Sequence, residues 1–225
     1  MHRIIAALFA TLALAAATPA PARSTAPEQA LETIIAEHWR WWLSTHPVAA
    51  TARGVRDYDD RLDDLSLPAR DAAIKAEKGF AARLDAISPD TLPEDARTNR
   101  ALLLWMLRDD IEGDRHPADR LMLFTTYYGW HQGFAGMADG LPFYNTADYE
   151  SYLKRLALYP RQNGDALAIT RQAIKGGYVL PCSVLGGYAP SITGIVAGTP
   201  EETRFYEPFT RPRPRDLDEA QWAAM

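Results

Sequence analysis

The amino-acid sequence of this 225-residue chain predicts an all-α protein, an irregular array of several helices. Three observations carry the prediction. From Pro27 onward apolar residues recur at steps of three and four, the spacing of one helix face. Helix-start signals precede several of these runs, and no stretch alternates at period two. No repeat of fixed period is visible either.

The first helix begins near Pro27 and carries Leu31, Ile34, Ile35, Trp39, Trp42 and Leu43; His46-Pro47 ends it, because a residue before proline avoids helical backbone. Arg53 to Leu65 is charged and turn-like. Ser66 is the N-cap expected for a helix through Ile87, whose apolar side is Ile74, Phe80, Ala81, Leu84 and Ile87. Ser88-Pro89-Asp90 breaks it. A third helix spans about Glu94 to Glu112, with acids in its first turn and Gly113 expected just past its end. Beyond it the chain loosens, and eleven of the fourteen glycines fall between Gly129 and Gly198. Thr146 opens a helix expected to end near Tyr159-Pro160, and a separate one runs from Pro160 to Lys175, stopped by Gly176-Gly177. Val184 to Ala197 reads as a helix interrupted by Gly186, Gly187 and Pro190. Thr199-Pro200-Glu201-Glu202 is a capping box. Arg211 to Arg215, with two prolines, is a stiff connector, and Asp216 with Glu219 signals one more helix start. Two readings of that tail stand: a chain that stops early in a longer protein, which is the expectation adopted, or an amphipathic tail docked on the body.

Composition excludes several classes. At 47% apolar the chain buries a core, and a formal charge of −5 gives no general attraction to nucleic acid or acidic lipid. A single cysteine, Cys182, makes neither an internal disulfide nor a thiolate zinc cluster. Arg3, the apolar run Ile4 to Ala17 and Ala20-Pro21-Ala22 have the three parts of a secretory signal, so residues 1–22 are expected to be a leader. No later segment is apolar enough to span a bilayer. The expectation is an exported protein, periplasmic or secreted, with a helical domain over 23–210 and a connector plus the start of a truncated helix over 211–225.

Chemistry is sparse. His38 and His46 are eight residues apart, and no histidine precedes a glutamate, so a helical zinc pair is not formed. Asp57 to Asp64 holds five carboxylates, yet Arg61 and Leu62 occupy places where a calcium loop needs an oxygen ligand and glycine. It reads as a solvated turn with Arg61 paired to neighbouring aspartates, or as a segment in which Tyr58 and Arg61 face a substrate. Gly129, Gly133, Gly136 and Gly140 would form one bare stripe on a helix, or an irregular loop. Tyr127, Tyr128, Trp130, His131 and Gln132 around them line a groove or join the core. Ser183 and Ser191 lack the glycines of a nucleophile elbow. Tyr58, Arg61, Tyr128, His131 and Gln132 are therefore the candidate substrate-binding residues, with no catalytic or metal-binding residue assigned.

A set of colinear motifs adds a resemblance. Pro47-Val-Ala-Ala-Thr51 leads to Gly54, Tyr58-Asp-Asp-Arg-Leu62 and Asp64-Leu-Ser66. Then come Pro142-Phe143, Asp148-Tyr149, Tyr152, Arg155-Leu156, Pro160, Gly177-Tyr178 and Pro181, and finally Pro200-Glu-Glu with Phe205-Tyr-Glu-Pro-Phe209. In this order they resemble the N-terminal half of the bacterial "domain of unknown function 885" proteins. The resemblance implies a helical, exported protein related to gluzincin-type zinc metallopeptidases, whose zinc helix lies in a C-terminal half. Nothing in this chain matches those ligands. The resemblance thus implies the helical wall of a groove for a peptide substrate, with no cofactor of its own, zinc belonging to a full-length relative. A stand-alone helical binding module built on the Tyr127 to Gln132 region is the competing reading. Neither involves nucleic acid, nor a membrane once the leader is removed.

Overall fold

The computed structural model describes residues 24–125, 128–196 and 198–225. The expected leader, Tyr127 and Ala197 lie outside them. Nine α-helices are described: α1 (Ala26–Thr45), α2 (Pro47–Ala52), α3 (Leu67–Asp85), α4 (Glu94–Gly113), α5 (Pro117–Leu121), α6 (Trp130–Ala135), α7 (Thr146–Lys175), α8 (Tyr188–Val196) and α9 (Glu219–Ala224). Short 3-10 turns join several of them, and the described residues contain one isolated bridge, Phe124 to Gly129, but no strand. No described helix is long and apolar enough to cross a membrane.

The fold is built around two cores of different character. In the first, α1, α3 and α4 pack on one another through Leu31, Ile34, Ala81, Leu84, Leu104 and Leu107, joined by Ile87 and Leu92 from the α3–α4 connection. Ser66 starts α3 as expected, its hydroxyl accepting from the Ala69 amide at 3.3 Å. The second core gathers Phe134, Met137, Phe143, Tyr149 and Tyr152, with Phe205, Phe209 and Trp222 packed against them. Two buried phenols tie the irregular C-terminal chain to α7: Tyr149 donates to the Pro208 carbonyl and Tyr152 to the Phe205 carbonyl, each at 3.1 Å.

Four expectations need correction. Pro160 does not divide two helices; it lies inside the 30-residue α7. The buried face stays in phase across it, because Arg155 and Ala166 are eleven residues apart, about three turns of 3.6 residues. Burial on both sides outweighs a proline cost of ~3 kcal/mol. Gly113 is not a left-handed residue past the helix but the last residue of α4. The glycine-terminated helix ends are instead those of α2 and α7. Gly54 has φ +83° and Gly177 φ +80°, and each is followed by a backbone bond five residues back, Val55 to Ala50 and Tyr178 to Ala173. The predicted helix Val184 to Ala197 is a three-residue turn, Cys182–Val184, followed by α8. Asp216 does not open the last helix: Asp218 caps α9 by accepting from the Gln221 amide, whereas Asp216 accepts from the Thr146 amide at the start of α7. The tail is docked, with Leu217 buried and the Trp222 ring edge-on to Tyr149 at 5.0 Å.

Candidate functional site

The acidic stretch after Gly54 is structural at one end and open at the other. Arg155, on α7 and only 1% exposed, directs its guanidinium into the loop. It donates to the Arg61 carbonyl at 2.8 Å, the Tyr58 and Pro47 carbonyls at 3.1 Å each, and the Thr51 hydroxyl at 2.7 Å. Thr51 passes the connection to Asp59 at 2.6 Å, Asp59 pairs with Arg56, and Arg56 pairs with Asp148 in the first turn of α7. The chain of contacts starts and ends on α7, which pins residues 47–61 to that helix. Burial pulls the Arg155 guanidinium below its ordinary pKa, while Asp59, Asp63 and Asp60 oppose the shift. Gln162 adds a bond to the Asp63 carbonyl at 2.8 Å.

Held this way, residues 61–65 form a shared wall. A cleft of about 590 Å³ lies on one side, bounded by the end of α1, α3 and α4. Two smaller clefts, about 220 and 340 Å³, adjoin the same segment; the second is mostly apolar and runs along Tyr128, Trp130 and Phe134. Leu62, Asp63 and Leu65 line all three. The large cleft falls within the 300–1,000 Å³ range typical of small-ligand sites.

Polar groups converge on the large cleft. His38, His46, Glu77 and Asp110 line it together with Asp63 and Trp41. Burial raises the Glu77 carboxyl to about 7, helped by Asp110 and Asp114 and opposed by Arg70. Burial also raises Asp63, against the pull of His46, and raises Asp110, beside Asp109. His38 is pushed down by burial, with Asp110 opposing. Glu77 Oε2 and Asp63 Oδ1 are buried atoms without a hydrogen-bond partner.

The five predicted residues scatter. Arg61 lines the two clefts on its side of the wall and lies over the Tyr58 ring, 5.4 Å from its centroid. Of the neighbouring aspartates it pairs with Asp60 alone, at 4.0 Å, while Arg56 serves Asp59 and Arg155 the loop carbonyls. Tyr58 lines none of the three clefts. Tyr128 is 55% exposed and borders the apolar cleft, so of the aromatic segment it is a wall residue. His131 is 8% exposed, its Nε2 3.1 Å from the Ser191 hydroxyl, and like Gln132 it borders none of the three clefts. The four glycines do not make one stripe. A Cβ on Gly129 would meet the Tyr188 hydroxyl at 2.5 Å, and one on Gly133 the Tyr128 hydroxyl at 2.7 Å, so two separate phenols claim the space.

Of the large cleft's residues only Arg61 was among the candidates, although a signal for others exists. His38 follows Ile34 by four, Glu77 follows Ile74 by three, and Asp110 follows Leu107 by three. On three different helices a polar residue interrupts or borders the apolar stripe.

Zinc, which the resemblance implies for the relatives, does not fit the residues described here. His46 Nδ1 lies 2.9 Å from the Trp42 carbonyl oxygen and 3.0 Å from Thr45 Oγ1, and its ring stacks on Trp42. Among the described residues no three of His, Cys, Asp or Glu are grouped to hold a metal ion.

Comparison with curated proteins and with solved structures gives no match. A family model described as "Bacterial protein of unknown function (DUF885)" matches residues 47–225, which include the Arg155 clamp and the shared wall 61–65. The chain belongs to the DUF885 family.

Proposed function

We propose that the chain forms a helical wall of a peptide-binding groove in an exported, metallopeptidase-like protein, with metal ligands supplied by residues other than those described here. The observation that carries the proposal is the segment 61–65, a single extended wall shared by three adjoining clefts and held in place by Arg155 and Gln162. An extended peptide presents side chains on alternating sides at short intervals. Adjoining subsites of unlike chemistry, one acidic and one apolar, suit such a ligand better than one compact molecule. A rigid backing matters because binding then costs less ordering of the wall itself.

The test is direct binding of a fluorescein-labelled, unstructured peptide pool, read by anisotropy. The proposal expects saturable binding that Leu65→Trp reduces by about tenfold or more, since the larger ring fills a position common to all three clefts without changing charge. Absence of saturable binding, or binding indifferent to Leu65→Trp in a variant that melts like the parent, overturns it.

A further inference from the structure

We propose that the large cleft between α1, α3 and α4 is a subsite for an organic cation, the guanidinium or ammonium group of a basic side chain. This inference rests on the peptide-groove reading for the source of that group, but its chemistry stands on the cleft alone. Four carboxylates line the cleft, Asp63, Asp64, Glu77 and Asp110, against Arg61 and Arg70. Arg70 is already committed, its Nε 2.6 Å from Asp114. Arg61 is drawn over the Tyr58 ring. Asp64 in turn has Arg161 at 3.5 Å, so Asp63, Glu77 and Asp110 remain against Arg61, and the charge facing the cavity is negative.

Two further features bear on a ligand. Glu77 Oε2 and Asp63 Oδ1 are screened from solvent and have no hydrogen-bond donor, a costly state that an incoming N–H group relieves. They come from different elements, α3 and the 61–65 segment, and a planar guanidinium with donors on several edges suits carboxylates supplied by more than one element. Trp41 supplies an aromatic surface in the same lining, the complement to a weakly hydrated cation. The raised proton affinity of Glu77, facing Asp110 on α4, Asp114 just past its end and Arg70 on its own helix, adds a consequence. A bound cation favours the ionised carboxylate, so binding at pH 6 releases protons and tightens as pH rises towards 8.

The probes are the capped tripeptide acetyl-Ala-Arg-Ala-amide, its citrulline counterpart, which keeps the shape and loses the charge, and agmatine as a free guanidinium. Titration calorimetry on the whole protein is expected to give about tenfold tighter binding of the arginine peptide than of the citrulline peptide. Glu77→Gln is expected to bring the arginine peptide to the citrulline peptide's affinity, and Asp110→Asn, at an exposed position that folding tolerates, to weaken the preference in the same direction. Agmatine binding that both variants weaken, without binding of either peptide, supports the cation subsite and overturns the peptide groove. Equal affinity for the two peptides overturns the cation subsite and supports the groove. Failure of both agmatine and the arginine peptide to bind overturns the inference.

Discussion

The two cores of this protein solve the same problem with different materials. The N-terminal one is aliphatic and sits between three long helices, so its contacts repeat every turn and each side chain has near-equivalent neighbours. The C-terminal one is aromatic and gathers around a single long helix, against chain that is mostly 3-10 turns and loops. Irregular backbone leaves carbonyls without helical partners, and phenols that pack as hydrophobes while donating one hydrogen bond satisfy them. Tyr149 and Tyr152 do this for Pro208 and Phe205. Between the two cores runs the 47–65 segment, held by the Arg155 clamp, and the clefts open beside it. The lesson is a division of labour: regular packing supplies the walls, and buried polar bonds place the irregular parts that shape the groove.

The clamp is the place where the comparison breaks most easily. Arg155→Leu leaves three carbonyls and Thr51 unserved and Asp59 short of nearby positive charge, so we expect a loss of ~3–5 kcal/mol in a urea titration. Arg155→Lys, which cannot reach all four oxygens, should recover only part. In the aliphatic core, Leu84→Ala removes a side chain with no solvent exposure and should cost ~2–5 kcal/mol by the same measurement, with secondary structure of the remainder retained. Tyr149→Phe keeps the ring and removes only the bond to Pro208; a loss of ~1 kcal/mol is expected, with early amide exchange confined to residues near 205–222. If exchange instead rises evenly over α1, α3 and α4, the two cores are not separable.

The smallest effect sharpens the picture of the cleft. Glu77 carries a carboxyl raised from 4.5 to about 7. The folded state then holds the proton more tightly than the unfolded chain, so stability from this group is greatest at low pH and falls as pH rises through that window. Glu77→Gln should therefore melt at a higher temperature than the parent at pH 8 and at nearly the same temperature at pH 4. Equal differences at the two pH values would mean that Glu77 is an ordinary surface acid.

How much of this the sequence disclosed differs between the same two regions. In α1, α3 and α4 the three-and-four spacing located most of the core, although Trp39, placed on the apolar face of α1, is 45% exposed. Ser66 and the acids at the start of α4 fixed the ends. Local rules failed where tertiary packing overrode them. Pro160 reads as a stop, yet the buried face of α7 carries through it. Asp216 reads as an N-cap, and its side chain caps a helix seventy residues earlier. Residues 57–64 were visible as a dense acidic run, but Arg155, which holds the loop at Tyr58 and Arg61, sits 94 residues from Arg61 and has no local signature. The cleft residues were legible only as polar breaks in apolar stripes, and their convergence depends on how three helices pack.

The most direct test of the groove is amide hydrogen exchange with and without the arginine peptide at saturation. Protection concentrated in residues 61–65, the end of α1 and the facing turns of α3 and α4 is the predicted result. Saturable binding that leaves those amides unprotected and slows exchange elsewhere, as around α6 and α8, would contradict the account.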